Sequence, residues 1–173
     1  MTDQPVTDQG VTNQPSFRLA AQSDTATLLK FMHAYYAFDG HGFDQHKARA
    51  ALTTLLRDHK LGRVWLILDG EVPVGYVVIG FGFSLEWLGR DAFVDEFYLL
   101  EQYRGRGWGR ATMAFVEDEA RLLGVRALHL EVVRQNSTAL QVYKKLGFKE
   151  RESDFLSKWI VRDFSKPKGQ HGH

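Results

Sequence analysis

The 173-residue chain has no cysteine, four prolines and three methionines. Without cysteine there is no disulfide, no thiolate metal site and no cysteine nucleophile, which suits a reducing compartment. No apolar run reaches the roughly 18 residues a membrane-spanning helix needs, and the first residues do not read as a secretory signal, so a soluble cytoplasmic protein is expected. A surplus of one charge is also missing. With 22 Lys plus Arg against 21 Asp plus Glu, nothing global argues for nucleic acid or an anionic membrane as partner. The histidines fall at no metal-ligand spacing, so no metal is expected.

What is present fits one domain with a proper core. Residues 1–15 almost repeat themselves (TDQPV, TDQGV, TNQP) and offer two valines to any core, so they read as a disordered lead. Residues 16–164 carry the alternating and helical patterns of the domain, and 165–173 form a polar tail. A strand is predicted at 16–20, then a helix from a Ser23 or Asp24 cap to about 38 and a second from an Asp44 cap to about 58. A hairpin, 63–68 with 74–83, turns at Asp69-Gly70, and 84–91 connects it to a strand at 93–100. A glycine-rich turn follows, then a helix from about Gly107 whose apolar stripe is Met113, Val116, Ala120 and Leu123. A strand at 127–133, a short helix capped by Asn136-Ser137 and ending at Gly147, and a terminal pair of strands at 148–151 and 155–161 complete the pattern.

Two features carry chemistry. The first is the turn Arg104-Gly105-Arg106-Gly107-Trp108-Gly109, with Arg110 beside it. Glycines let backbone N–H groups converge on a small concavity, and the unpaired first amides of a helix sit at the positive end of its dipole, so an anion fits there. A phosphate loop of the Walker type would need Lys and then Ser or Thr, where this chain has Arg110 and Ala111. A dinucleotide fingerprint would come earlier and be followed by a strand ending in an acid, whereas 127–133 runs into Arg134, Gln135 and Asn136. The turn is therefore an anion cradle of another kind or an ordinary strand-to-helix turn with a basic edge.

The second is Asp95-Glu96, two carboxylates inside an otherwise apolar strand. Buried charge is unfavourable unless paired or used. Neighbouring strand residues face opposite sides, so one of the two enters a given cleft unless a bulge re-aims the other. A salt bridge to a helix, or a strand edge open to water, would also account for them.

At these residues the chain resembles the GNAT superfamily of acyl-CoA-dependent N-acyltransferases. Its pyrophosphate motif, Gln/Arg-x-x-Gly-x-Gly/Ala, is matched at every fixed position from Arg104 to Gly109, and the order of strands and helices around it matches over roughly residues 17–161. The resemblance implies an α/β fold with a mixed, mostly antiparallel sheet flanked by helices. In it the strands at 93–100 and 127–133 lie parallel and splay at their C-terminal ends to admit pantetheine. It implies acetyl-CoA as co-substrate, held by Phe97, Tyr98 and Leu99 on the central strand, by Arg104, Gly105, Arg106, Gly107, Trp108, Gly109 and Arg110 at the turn, and by Asn136. An alkyl amine of pKa about 10.4 must lose a proton before it can attack. The resemblance makes Glu96 first and Asp95 second the acceptor of that proton. Tyr143, seven residues after Asn136, then becomes the donor to the departing thiolate.

Within the superfamily, the run FSLEWLGRDAFVDEFYLLEQYRGRGWG resembles the diamine acetyltransferases, including the spermidine/spermine enzymes, without a gap. Leu85-Glu86 and Arg90-Asp91 depart from that branch. The resemblance implies a di- or polyamine substrate met by Asp39, Trp87, Asp95 and Glu96, and a homodimer. An acidic, aromatic-walled cleft suits such a substrate, since carboxylates pair with ammonium groups and an indole face attracts them. Another amine (an aminoglycoside, an amino acid or a protein amine) and a non-catalytic acyl-CoA-binding module are the alternatives.

Overall fold

A two-residue turn at Gly70-Glu71, with Gly70 in the left-handed region at φ 59°, joins β2 (Gly62–Asp69) to β3 (Val72–Ser84). The turn matches the right-handed twist of the flanking strands. These strands alternate side chains between two helical layers, so their middles are buried: Val64, Leu66, Ile67, Tyr76, Val77 and Ile79 are each exposed by 2% or less. Each such apolar side chain contributes about 1.5–3 kcal/mol of transfer free energy.

The computed structural model describes residues 14–38, 40, 42–158 and 160. β1 (Ser16–Leu19) pairs antiparallel with β2, β3 pairs antiparallel with β4 (Gly89–Leu99), and β5 (Ala127–Leu130) joins β4 in parallel, giving a five-stranded mixed sheet in chain order. One face carries α1 (Thr25–Phe38) and α2 (Gln45–Arg57), packed over Tyr76 and Val78. The other carries α3 (Trp108–Leu122) and α4 (Ser137–Lys145), whose Met113, Val116, Tyr143 and Leu146 cover Val77, Ile79 and Val94. Asp44 caps α2 by accepting the His46 and Lys47 amides, both at 3.1 Å. Asp24 instead reaches back to the Ala21 amide at 2.8 Å, and a 3₁₀ turn at Gln22–Asp24 precedes α1. No helix among the described residues is long and apolar enough to cross a membrane.

Three expectations are corrected. The central strand starts at Gly89, because the expected connector 84–91 is a tight turn in which Leu88 takes φ 57° and Ser84 pairs with Gly89. β5 stops at Leu130, three residues short, where its pairing with β4 ends. No strand forms over 148–158; Phe155 and Leu156 are 71% and 90% exposed there, so their side chains gain no burial from pairing with so short an edge. The expected lead at 1–15 lies almost wholly, and the tail at 165–173 wholly, outside the described residues.

Candidate active site

Parallel pairing of β4 with β5 runs from Asp91↔Ala127 to Val94↔Leu130 and goes no further, although β4 continues to Leu99. Beyond Val94 β5 has ended and leaves that edge of β4 unpaired. The next residue is an insertion in the ladder. Ile79 pairs with Val94 and Val78 with Glu96, which leaves Asp95 as a β-bulge. Without that extra residue one acid would face α3. With it, Asp95 follows the parity of Phe93, Glu96 that of Tyr98, and both face the α1–α2 side.

Glu96 is fixed at both oxygens: the Tyr36 hydroxyl donates to Oε1 at 3.0 Å and the Tyr76 hydroxyl to Oε2 at 2.7 Å. Burial, reinforced by the Glu96 carboxylate, pushes both phenols far above their usual range, so both stay protonated donors. Asp95 opens into a recess of about 520 Å³ shared with Phe81, Asp91, Phe93, His129 and Glu131. Desolvation there raises its carboxyl above the usual carboxylate range. His129 Nε2 lies 3.4 Å from Asp91 Oδ2, and its ring centre lies 5.8 Å from that of Trp87. Asp91 Oδ1 is buried without a hydrogen-bond partner, close against Gly82, where a Cβ would come within 2.5 Å of it.

The glycine turn has the geometry an anion needs. Gly105 and Gly107 sit at φ 73° and 83°, and among the described residues no atom beyond their chain neighbours lies within 4 Å of where a Cβ would project at either, so the space above the turn is open. Gly107 is the N-cap of α3 and no side chain caps it, so the first helical amides are left to an outside acceptor. Trp108 buries its ring with Ile67, Val74 and Leu99 and can offer the turn its N–H. Arg104 Nε donates to the Leu99 carbonyl at 2.9 Å, with its guanidinium 5.5 Å from the centre of the Tyr98 ring. Arg106 and Arg110 are exposed. At Gly109 a Cβ would meet Phe97 at an ordinary 3.7 Å, so space does not require glycine there.

Tyr143 is half-buried against the α3 face and Phe148, and burial raises its phenol above the usual value. It lines a broad cleft of about 1710 Å³ that also reaches Trp87, Phe93, His129 and Leu130, so the two hollows meet at Phe93 and His129. Asn136 Oδ1 accepts the Ala139 amide at 3.1 Å and caps α4. Trp87 stands in the β3–β4 turn, 38% exposed, with the Arg151 guanidinium 5.8 Å from its ring centre. Asp39 lies outside the described residues.

Four residues of this site escaped sequence reasoning: Tyr36 lies in the helix expected to about 38, Tyr76 in the strand expected at 74–83, Asp91 in the expected connector and His129 in the strand expected at 127–133, and the partner each meets is on another element.

The fold and site define an acyltransferase type of architecture, and comparison supplies the family. The model of the Acetyltransferase (GNAT) family matches residues 28–148, and the chain belongs to that family. A solved integron cassette protein, HFX_CASS3, from the mobile metagenome of Cole Harbour Salt Marsh is 33% identical, with a TM-score of 0.76 over 92% of this chain and 98% of its own. The thialysine N-epsilon-acetyltransferase of Mus musculus is 34% identical over 79 residues, 46% of each chain. The N-alpha-acetyltransferase of Sulfurisphaera tokodaii is 41% identical over 90 residues, 48% of this chain and 53% of its own. The chain thus spans about half the length of these curated relatives.

Proposed function

We propose that the protein is an acetyl-CoA-dependent N-acetyltransferase acting on a small di- or polyamine by direct attack in a ternary complex. The observation that carries this reading is the bulge that turns Asp95 and Glu96 to one side, where β4 leaves its pairing with β5. Two adjacent acids on one face, with Phe93 beside Asp95 and Tyr36 on Glu96, suit a substrate with more than one positive charge.

Bound acetyl-CoA would supply a thioester carbonyl and a thiolate leaving group. Its pyrophosphate is assigned to the Gly105–Gly109 amides, the N-terminus of α3 and the exposed Arg106 and Arg110; Arg104 shapes the turn through Leu99. Its pantetheine arm is assigned to the β4 edge at Phe97, Tyr98 and Leu99, which β5 leaves unpaired, and to Asn136, whose amide NH₂ remains beside its capping oxygen.

Asp95 is our choice for the proton acceptor, ahead of Glu96. Desolvation raises its carboxyl toward neutral pH, where general-base catalysis works best. Glu96 accepts two phenol hydrogen bonds that stabilise its anion and make it a weaker base. Tyr143, kept protonated by burial, would donate to the leaving thiolate. With Asp39 near the same cleft by the family resemblance, the acceptor side would be acidic throughout. A homodimer working in the cytoplasm completes the proposal.

The S. tokodaii relative supports a second reading, in which the acceptor is a protein N-terminal amine. The test is CoA release from acetyl-CoA with putrescine, spermidine, thialysine, an aminoglycoside, free amino acids and an N-terminal peptide. Preferential turnover of diamines, lost in Asp95→Asn, supports the first reading. Preference for the peptide replaces it with the second, and acetyl-CoA binding without turnover of any amine leaves a binding module.

A further inference from the structure

The glycine turn can hold a diphosphate well only if its amides already point together, and the glycines cannot arrange that themselves. They carry no side chain to anchor, and any freedom they keep in the free protein is entropy lost on binding. The turn is held instead from its two ends. At the far end Trp108 is 2% exposed and packs with Ile67, Val74 and Leu99. At the near end stands the 3₁₀ turn Glu101–Tyr103, where the Tyr103 amide donates to the Leu100 carbonyl at 2.9 Å and the Arg104 amide to the Glu101 carbonyl at 3.0 Å. Tyr103 joins these ends to each other and to the sheet. Its ring lies against that of Trp108, with centres 4.9 Å apart. Its hydroxyl donates to Asp69 Oδ2 at 3.0 Å, across 34 positions of sequence, and Asp69 is the last residue of β2. Desolvation and the Asp69 carboxylate raise the Tyr103 phenol, so the donor stays protonated at neutral pH.

We infer that Tyr103 is a positioning residue of the acyl-CoA site: through Asp69 and Trp108 it clamps the glycine turn to the β2–β3 hairpin and keeps the turn amides set for a diphosphate before one arrives. This rests on the acetyl-CoA reading above and adds what makes that cradle ready. The bond from Arg104 to the Leu99 carbonyl shapes the turn against its own neighbouring segment, whereas the bond from Tyr103 fixes it against a hairpin whose two strands are interior to the sheet. Asp69, being an anion, is no ligand for a phosphate. Its place one phenol away from an anion cradle is explained by the hydrogen bond it accepts.

The experiment is calorimetric titration of the full chain with acetyl-CoA, for wild type, Tyr103→Phe, Asp69→Ala and the double variant, with thermal melting and amide hydrogen exchange of each free protein. Phenylalanine keeps the ring on Trp108 and loses only the hydroxyl, so Tyr103→Phe carries the test even where Asp69→Ala, next to the hairpin turn, fails to fold. Tyr103→Phe is expected to raise the Kd for acetyl-CoA roughly three- to tenfold, below the effect of a fully buried hydrogen bond to a charge because neither partner is fully buried. Exchange at residues 104–110 should quicken while exchange across 62–84 stays as in wild type, and the melting temperature should hardly move. The double variant should bind about as weakly as the weaker single variant, since the two residues act through one bond. An unchanged Kd, or penalties that add in full in the double variant, overturns the inference while the acyl-CoA reading stands. So does a raised Kd with exchange at 104–110 unaltered, or with exchange quickened throughout the hairpin, which marks a general loss of packing. Wild-type protein that shows no binding of acetyl-CoA overturns both.

Discussion

Asp95 and Glu96 are consecutive in the chain yet face the same side of the sheet, because Asp95 is a bulge between the Val94↔Ile79 and Glu96↔Val78 pairs. The bulge falls directly after the last residue that β4 shares with β5. One local irregularity therefore brings two acids to the α1–α2 side of the sheet where β4 leaves its pairing with β5. Desolvation raises the folded-state pKa of Asp95. Below the unfolded value both states are protonated and nothing is gained or lost; as pH rises past it, the folded state is penalised for ionising. Asp95→Asn is therefore expected to melt higher than wild type at pH 7 and equally at pH 3, while its turnover falls by roughly a hundredfold or more. A lower melting temperature at pH 7 would mean that Asp95 is a structural anion.

The same raised pKa fixes the shape of the activity profile. With Asp95 as base, kcat/KM falls on the acid side through a pKa above the ordinary carboxylate value. Glu96→Gln should keep that limb where it is, whereas Asp95→Glu should move it. A limb that vanishes in Glu96→Gln assigns the base to Glu96 instead.

Tyr143 lies on the opposite face of the sheet from the acids, and burial raises its phenol above the usual value. Tyr143→Phe should lower kcat by about ten- to a hundredfold with acetyl-CoA and less with an acyl donor whose thiol has a lower pKa, because a better leaving group needs less proton donation. Equal loss with both donors would point to packing.

Gly107 takes φ 83° at the first turn of α3. Alanine there should cost about 1 kcal/mol in stability from the left-handed backbone alone. It should also raise the acetyl-CoA KM and leave the amine KM unchanged. Gly109→Ala, with ordinary contact distance to Phe97, should have a smaller effect on stability.

Asp24 is held below its usual carboxylate value, chiefly through its hydrogen bonds to Arg18 at 2.8 and 2.9 Å. A depressed folded pKa gives stability that is present above the unfolded value and lost as pH falls through the folded one. Arg18 is about half exposed, so screening limits the effect: Asp24→Asn should cost about 0.5–1 kcal/mol at pH 7, and the difference from wild type should close at acid pH.

Much of this was readable before any coordinates. The hairpin turn at Gly70, one residue on from where Asp69-Gly70 predicted it, the caps at Asp44 and Asn136 and the stripe of α3 follow from short-range rules, in which a residue's neighbours in sequence are also its partners in space. The glycine turn was legible for the same reason, since a strand, a loop and a helix N-terminus lie within about twenty residues. The tertiary structure alone decided that Asp95 and Glu96 share a face, because a bulge is a mismatch between two strands and neither carries it alone. It also decided that Glu96 meets Tyr36 and Tyr76, sixty and twenty residues away, and that His129 meets Asp91. The missing strands at 148–158 belong with these: an apolar alternation predicts a strand only when an edge of matching length is there to receive it, and β5 offers four residues. The amino-acid sequence determined the helices, the hairpin and the glycine turn, through forces that act within one turn or one strand. Which acids act together, and what holds them, depended on contacts that only the folded sheet creates.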